Sequence, residues 1–227
     1  MKFFNDFLAL FYPQLCLICE ESLLKHEECV CATCLHQTPK TDCFRVKENE
    51  VSKRFWGRVQ LENAAALFIF NKEGNAQKII HTLKYEEGKN IGIFLGKQLA
   101  YAINESDFFN DIDLIIPVPL HKQKQKLRGY NQSDFLAKGM SEILKIKIDQ
   151  KSLIRIANTD SQTKRKRFSR WENMMQSFAL KNPLELQGKH ILLVDDVVTT
   201  GATLEACAQK LLEIDGVKVS IATIAVA

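Results

Sequence analysis

Residues 191–203 read Ile-Leu-Leu-Val-Asp-Asp-Val-Val-Thr-Thr-Gly-Ala-Thr, and their order decides the fold. A buried strand over 190–194 delivers two adjacent carboxylates, Asp195 and Asp196, at its carboxyl end. In an open α/β sheet, ligands collect beyond the carboxyl ends of the strands. The Gly-containing turn that follows leads into a helix, so successive main-chain N–H groups and the positive helix end can hold a phosphate without a lysine. Threonine hydroxyls add further donors. Two carboxylates do not grip phosphate, but they accept hydrogen bonds from sugar hydroxyls and suit a hard cation such as magnesium. The stretch therefore points to a sugar 5-phosphate. A Walker-type nucleotide site is disfavoured, because no Gly-Lys-Ser/Thr follows a glycine-rich turn.

Working outward, strand and helix patterns alternate. Residues 59–70, 112–118, 190–194 and 217–226 read as strands. Residues 74–85, 88–103 and 129–145 read as helices, as does the stretch carrying Leu204, Cys207, Ala208 and Leu211 on one stripe. This alternation predicts an α/β fold: a parallel sheet with helices on both faces. Residues 35–58 are polar and mixed in charge and read as a linker or a domain boundary. The expected division is an N-terminal helix with a four-cysteine module over 1–45, then an α/β domain over 46–227.

With 227 residues, 46% of them hydrophobic and 26% charged, the chain can bury one sizeable core and carry a small appendage. The 31 basic and 27 acidic residues leave a net charge of +4, so composition alone does not mark a nucleic-acid binder. Near the N-terminus, Phe3, Phe4, Phe7, Leu8 and Phe11 form an amphipathic stripe stopped by Pro13. Asp6 interrupts it, no small-residue cleavage site follows, and no later window approaches the roughly 18 apolar residues of a membrane span. A cytoplasmic location is expected. Thiols stay reduced there, so the seven cysteines need a role other than disulfides.

Four of them suggest one. Cys16-Leu-Ile-Cys19 and Cys31-Ala-Thr-Cys34 are two Cys-x-x-Cys knuckles separated by eleven residues, close to the spacing of ribbon-like zinc sites. A closed four-thiolate site has no open coordination position, which makes the expected zinc structural. Cys29 and Cys43 flank the set and stand as alternative ligands. Redox chemistry needs only one such pair, in a βαβ setting that this segment lacks.

Taken with strand before and helix after, residues 195–203 resemble the phosphoribosyl-pyrophosphate (PRPP) motif of type I phosphoribosyltransferases. The four cysteines, His81-Thr-Leu-Lys84-Tyr85, Pro117-Val-Pro119-Leu120, Arg128-Gly-Tyr-Asn-Gln132 and the spaced Gln162, Arg170, Asn173 and Phe178 extend the likeness. Over essentially its whole length the chain is similar to the ComF family. These are competence-associated, GntX-like proteins that pair an N-terminal zinc knuckle with a phosphoribosyltransferase-like domain.

The resemblance implies that Asp195 and Asp196 meet the ribose hydroxyls. It implies that Thr199, Thr200, Gly201, Ala202 and Thr203 bind the 5-phosphate. Pro117, Val118 and Pro119 become the pyrophosphate-side loop, and Lys84 and Arg128 neutralise pyrophosphate beside the acidic pair. Chemistry alone leaves alternatives open. Pro117 and Pro119 also suit a plain strand end, Lys84 a helix dipole, Arg128 any carboxylate, and Asn131 and Gln132 a helix cap.

Two basic runs flank the expected site. One is the set Gln162, Lys164, Arg165, Lys166, Arg167 and Arg170, read as a mobile loop; the other runs from His121 to Arg128. With Tyr130, Phe168 and Trp171 interleaved, they suit departing pyrophosphate or single-stranded nucleic acid. The enzymatic expectation is magnesium-bound PRPP losing pyrophosphate to a nucleophile such as a base nitrogen. No residue reads as a general base. The competing expectations are a non-enzymatic single-stranded-DNA-binding competence factor and a PRPP-sensing regulator. The resemblance further implies a role in DNA uptake during natural transformation, with a competence-associated helicase or other DNA-processing proteins as partners.

Overall fold

A computed structural model describes residues 13–85, 88–156 and 177–227. Five strands form a parallel sheet: β1 (Asn63–Ile69), β2 (Leu114–Pro117), β3 (Lys147–Ile148), β6 (His190–Val198) and β7 (Lys218–Val226). Their order is β1-β7-β6-β2-β3. β7 and the first half of β6 are near-continuous buried apolar runs, as a parallel sheet covered on both faces requires. The remaining strands, β4 (Leu153–Arg155) and β5 (Phe178–Leu180), form a separate antiparallel pair.

Among the described residues, six α-helices accompany the sheet: α1 (Ala32–Gln37), α2 (Asn75–Tyr85), α3 (Gly88–Asn104), α4 (Lys122–Arg128), α5 (Gln132–Leu144) and α6 (Ala202–Leu212). α3 and α5 pack backbone to backbone. A Cβ on Gly139 would lie 2.0 Å from the Ile93 carbonyl oxygen, and one on Gly96 would lie 2.1 Å from that of Leu136. Only hydrogen fits at either position. α5 in turn lies on β2 and β6, which places its N-terminus beside the carboxyl ends of those strands. Among the described residues, no helix is long and apolar enough to cross a membrane.

The α/β class and parallel sheet are as predicted, but several boundaries differ. β6 does not stop at Val194: Val197 and Val198 pair with Ala225 and Val226, so Asp195 and Asp196 belong to the strand itself. β1 begins at Asn63 because Arg58 and Val59 close a turn onto Phe55. α5 begins at Gln132 because Gly129, at φ +78°, ends a separate short helix, α4. The antiparallel pair β4–β5 was not predicted.

The supposed linker is folded. Lys40 bridges to Phe68 of β1, and Val51 and Phe55 are fully buried. Asn49 organises this segment. Its amide donates to the carbonyls of Cys43 (3.2 Å), Val46 (2.8 Å) and Ala64 (2.9 Å), and its Oδ1 accepts from the N–H groups of Val51 and Ser52. A polar side chain with every bond satisfied can sit inside, so low hydrophobicity does not make this stretch a linker.

Candidate functional site

The carboxyl ends of β2 and β6 lie side by side. Pro117 is in register with Val194, and the Val118 N–H donates to the Val194 carbonyl at 2.9 Å. Pro117, Val118 and Pro119 thus run along the strand that carries Asp195 and Asp196. The Val118 carbonyl accepts from Asn131 Nδ2 at 3.1 Å, which fastens the start of α5 to this edge. Asn131 occupies the N-cap position, yet its side chain makes no capping bond to the helix backbone.

Two helices, α5 and α2, converge on the acidic pair. Gln132 Nε2 donates to Asp196 Oδ2 at 3.0 Å, and Ser133 Oγ donates to Asp195 Oδ1 at 3.0 Å. Lys84, in the last turn of α2, places its Nζ 3.1 Å from Asp196 Oδ2. Tyr130 ties α2 to the same loop, because its hydroxyl donates to the Leu83 carbonyl at 2.7 Å. Asp196 is buried and Asp195 is partly open. Burial and the adjoining Asp196 carboxylate push the Asp195 carboxyl up to about 7, against the opposing pull of the Asp196 N–H, Ser133 and Lys84. At that value it accepts a hydroxyl hydrogen bond when ionised and donates one when protonated.

Beyond β6 the chain turns through Thr199 and Thr200, both exposed, to Gly201 at φ +78°, the N-cap of α6. That left-handed conformation suits glycine, and the space is closed as well: a Cβ would lie 2.9 Å from the Phe55 ring. Ala202 and Thr203 open the helix. The arrangement is a strand-to-helix turn whose main-chain N–H groups and helix dipole favour an anion, next to carboxylates that favour hydroxyls and a cation.

Lys84, Asp195, Asp196, Pro117, Val118 and Pro119 are therefore brought together, with the 199–203 turn continuing directly from β6. Arg128 is half-buried at the end of α4, where the Gly129 turn leads to Tyr130 and Asn131. Gln162, Lys164, Arg165, Lys166, Arg167 and Arg170 lie outside the described residues. Sequence reasoning missed Ser133, although it directly follows the Arg128–Gln132 stretch at a helix start. It also missed Arg54, which donates to the Thr199 carbonyl, and Arg58, which donates to that of Thr200 at 2.9 Å. Their only signal was a cluster of cations with aromatics, Lys53-Arg-Phe-Trp-Gly-Arg58, inside a stretch read as a linker.

The sulfur atoms of Cys16, Cys19, Cys31 and Cys34 all lie within 4.8 Å of one another, with Cys19 and Cys31 Sγ 3.9 Å apart. Four thiolates around zinc at about 2.3 Å stand about 3.8 Å from each other in a tetrahedron, so the set fits the ion. Neither Cys29 nor Cys43 joins the cluster. Main-chain N–H groups of Ile18, Cys31 and Cys34 point at the cysteine sulfurs, as they do around metal-bound thiolates. Burial raises the Cys16 thiol, but main-chain N–H groups led by that of Cys31 bring it down to about 7. The knuckles touch α2: Asn75 Nδ2 lies 3.4 Å from the Cys34 carbonyl, and Lys78 Nζ donates to that of Ile18 at 3.0 Å. Cys207, fully buried on α6, is a core residue.

Residues 132–227 match the phosphoribosyl transferase domain family. The DNA utilization protein YhgH of Escherichia coli K12 is 34% identical over 137 residues, 59% of this chain and 60% of that protein. Competence protein F of Haemophilus influenzae is 32% identical over 139 residues, with the same coverage. Competence protein ComFC of Bacillus subtilis is 36% identical over 100 residues, 44% of this chain and 38% of that one. The match spans about 60% of the length of the first two relatives. Among solved structures, the glutamine PRPP amidotransferase of Bacillus subtilis aligns with a TM-score of 0.42 at 21% identity, covering 64% of this chain and 30% of that one. The chain is thus similar, over about 59% of its length, to proteins named for DNA utilization and competence, and its residues 132–227 match the phosphoribosyl transferase domain family.

Proposed function

We propose that this protein binds magnesium-PRPP at the carboxyl ends of β2 and β6 and transfers its phosphoribosyl group. One observation carries the reading: the Asp195–Asp196 pair, held by Lys84, Gln132 and Ser133, runs directly into the Gly201 turn and the N-terminus of α6. Hydroxyl acceptors and an anion cradle then stand one strand-end apart, as a ribose 5-phosphate requires. The residues also suit the metal, because Asp195 and Asp196 supply oxygen ligands. Magnesium would screen the pyrophosphate charge.

In the transfer, the bond from the anomeric carbon to pyrophosphate breaks and the electron pair leaves with pyrophosphate. A nitrogen of the acceptor base forms the new bond and releases a proton to solvent. Asp195 and Asp196 orient the ribose, residues 199–203 anchor its 5-phosphate, and Pro117, Val118 and Pro119 line the pyrophosphate side. Lys84, Arg128 and the basic segment Gln162–Arg170 offset the charge that develops on pyrophosphate. The four cysteines hold a structural zinc, residues 1–45 form its module and 46–227 the transferase-like domain. A cytoplasmic location, where thiols stay reduced, agrees with four cysteines kept for zinc.

A second reading is favoured by α4 and by the relatives' names. The sequence Lys122-Gln-Lys-Gln-Lys-Leu-Arg128 forms an exposed basic helix beside the site, with Leu127 85% exposed. Such a face suits single-stranded DNA, and the relatives are named for DNA utilization and competence. A partner from the DNA-processing machinery, such as a helicase, belongs with this reading, as does a PRPP-sensing role without turnover. Pyrophosphate release from PRPP that depends on an added base supports transfer. No release with any base, together with steeply salt-dependent DNA binding lost on neutralising Lys164–Arg167, would replace it with the DNA-binding reading.

A further inference from the structure

The turn at 199–201 is gripped from outside by the segment that reads as a linker. Arg54 Nη1 donates to the Thr199 carbonyl and its Nη2 to the main-chain oxygen of Ala227 at 2.6 Å, so one guanidinium joins the ends of β6 and β7. Arg58 Nη1 donates to the Thr200 carbonyl at 2.9 Å, while its Nη2 pairs with the Glu205 carboxylate. Phe55, between them, closes over Gly201. From these contacts we infer that Arg54 and Arg58 are positioning residues that hold the 199–203 turn in its anion-receiving shape. This rests on the sugar-phosphate reading of that turn.

A trans peptide unit points its carbonyl and its N–H in opposite directions. Fixing the Thr199 and Thr200 carbonyls towards the guanidinium groups turns the N–H groups of Thr200 and Gly201 the other way. Among the described residues, neither N–H has a protein acceptor. Two adjacent N–H groups facing one side make an anion-binding concavity.

The charge balance points the same way. Glu205, in the first turn of α6 and only 2% exposed, would repel a phosphate at that helix end. Arg58 offsets it. Arginine is the suitable residue, because its planar fork reaches a carbonyl and a carboxylate at once, which a lysine ammonium does not do with fixed geometry.

The test compares Arg54→Ala, Arg58→Ala and Arg58→Lys with the wild type. It measures amide hydrogen exchange and the affinities for ribose 5-phosphate and for inorganic pyrophosphate. Both alanine variants should speed exchange across 199–203 by about tenfold or more and leave the centre of β7, residues 219–222, unchanged. Ribose 5-phosphate affinity should fall about tenfold while pyrophosphate affinity holds, a split that general loosening would not produce. Arg58→Lys should fall between. If Arg58→Ala does not fold once the Glu205 carboxylate loses the guanidinium, Arg58→Ala combined with Glu205→Gln carries the same expectation. Unchanged exchange at 199–203 overturns the inference. If wild type binds no ribose 5-phosphate, the sugar-phosphate reading falls and the exchange result alone decides whether the arginines hold the turn.

Discussion

Lys84 Nζ stands 3.1 Å from Asp196 Oδ2, so the last turn of α2 is bonded directly to the strand that carries the acidic pair. The same helix touches the cysteine knuckles at its first turns, through Asn75 and Lys78. One helix therefore connects the four-cysteine module to the candidate site.

Replacing Lys84 with Met should keep the aliphatic stem and strand the buried Asp196 carboxylate with Gln132 as its remaining side-chain partner. Loss of one member of such a pair is expected to cost on the order of 1–3 kcal/mol at pH 8, read by urea denaturation. The K84M variant should also weaken any ligand that places pyrophosphate near α2.

Asp195→Asn should raise stability at pH 8. The folded carboxyl sits at about 7, above its ordinary value, so between roughly pH 4 and 7 the folded state binds more protons than the unfolded one. Stability from this group is present at low pH and is lost as pH rises through 7. Removing the charge should gain about 2 kcal/mol at pH 8, about half of the full conversion because the side chain is partly solvated, and nothing at pH 4. Equal denaturation midpoints for mutant and wild type at pH 8 would contradict this.

Ligand hydroxyls that donate to Asp195 need it ionised. Binding at the acidic pair should therefore weaken as pH falls below about 7, with proton release on binding near pH 6. Titration calorimetry in two buffers of different ionisation enthalpy reads that release directly.

Purified protein should carry one zinc per chain, and a strong chelator should lower its thermal midpoint, because structural zinc sites contribute folding energy. Cys16→Ser should do the same. Elemental analysis finding no zinc in folded protein would remove the ion from the account.

Gly139→Ala should be severely destabilising, since its new Cβ would meet the Ile93 carbonyl at 2.0 Å and separate α3 from α5. A loss of about 3 kcal/mol or more is expected, read by circular dichroism in urea.

The α/β alternation, the acidic pair and the paired Cys-x-x-Cys knuckles are legible because each is local: a hydrophobic period, a dipeptide at a strand end, a fixed spacing. β6 was read four residues short because its continuation is decided by β7, whose Ala225 and Val226 pair with Val197 and Val198. Residues 35–58 passed for a linker because Asn49 does there what an apolar run does elsewhere: it satisfies a buried turn with hydrogen bonds that composition does not reveal. The roles of Arg54 and Arg58 depend on carbonyls more than 140 positions away and leave no trace in local pattern. Ser133 is the intermediate case, adjacent to a motif but visible only once α5 is laid against β6.

The most direct measurement is calorimetric titration of PRPP into zinc-loaded protein, with and without magnesium, beside the Asp195→Asn, Asp196→Asn double variant checked for folding. The account predicts magnesium-dependent binding to the wild type and its loss in the folded variant. No binding to the wild type, or undiminished binding to the variant, would contradict a sugar-phosphate site at the end of β6.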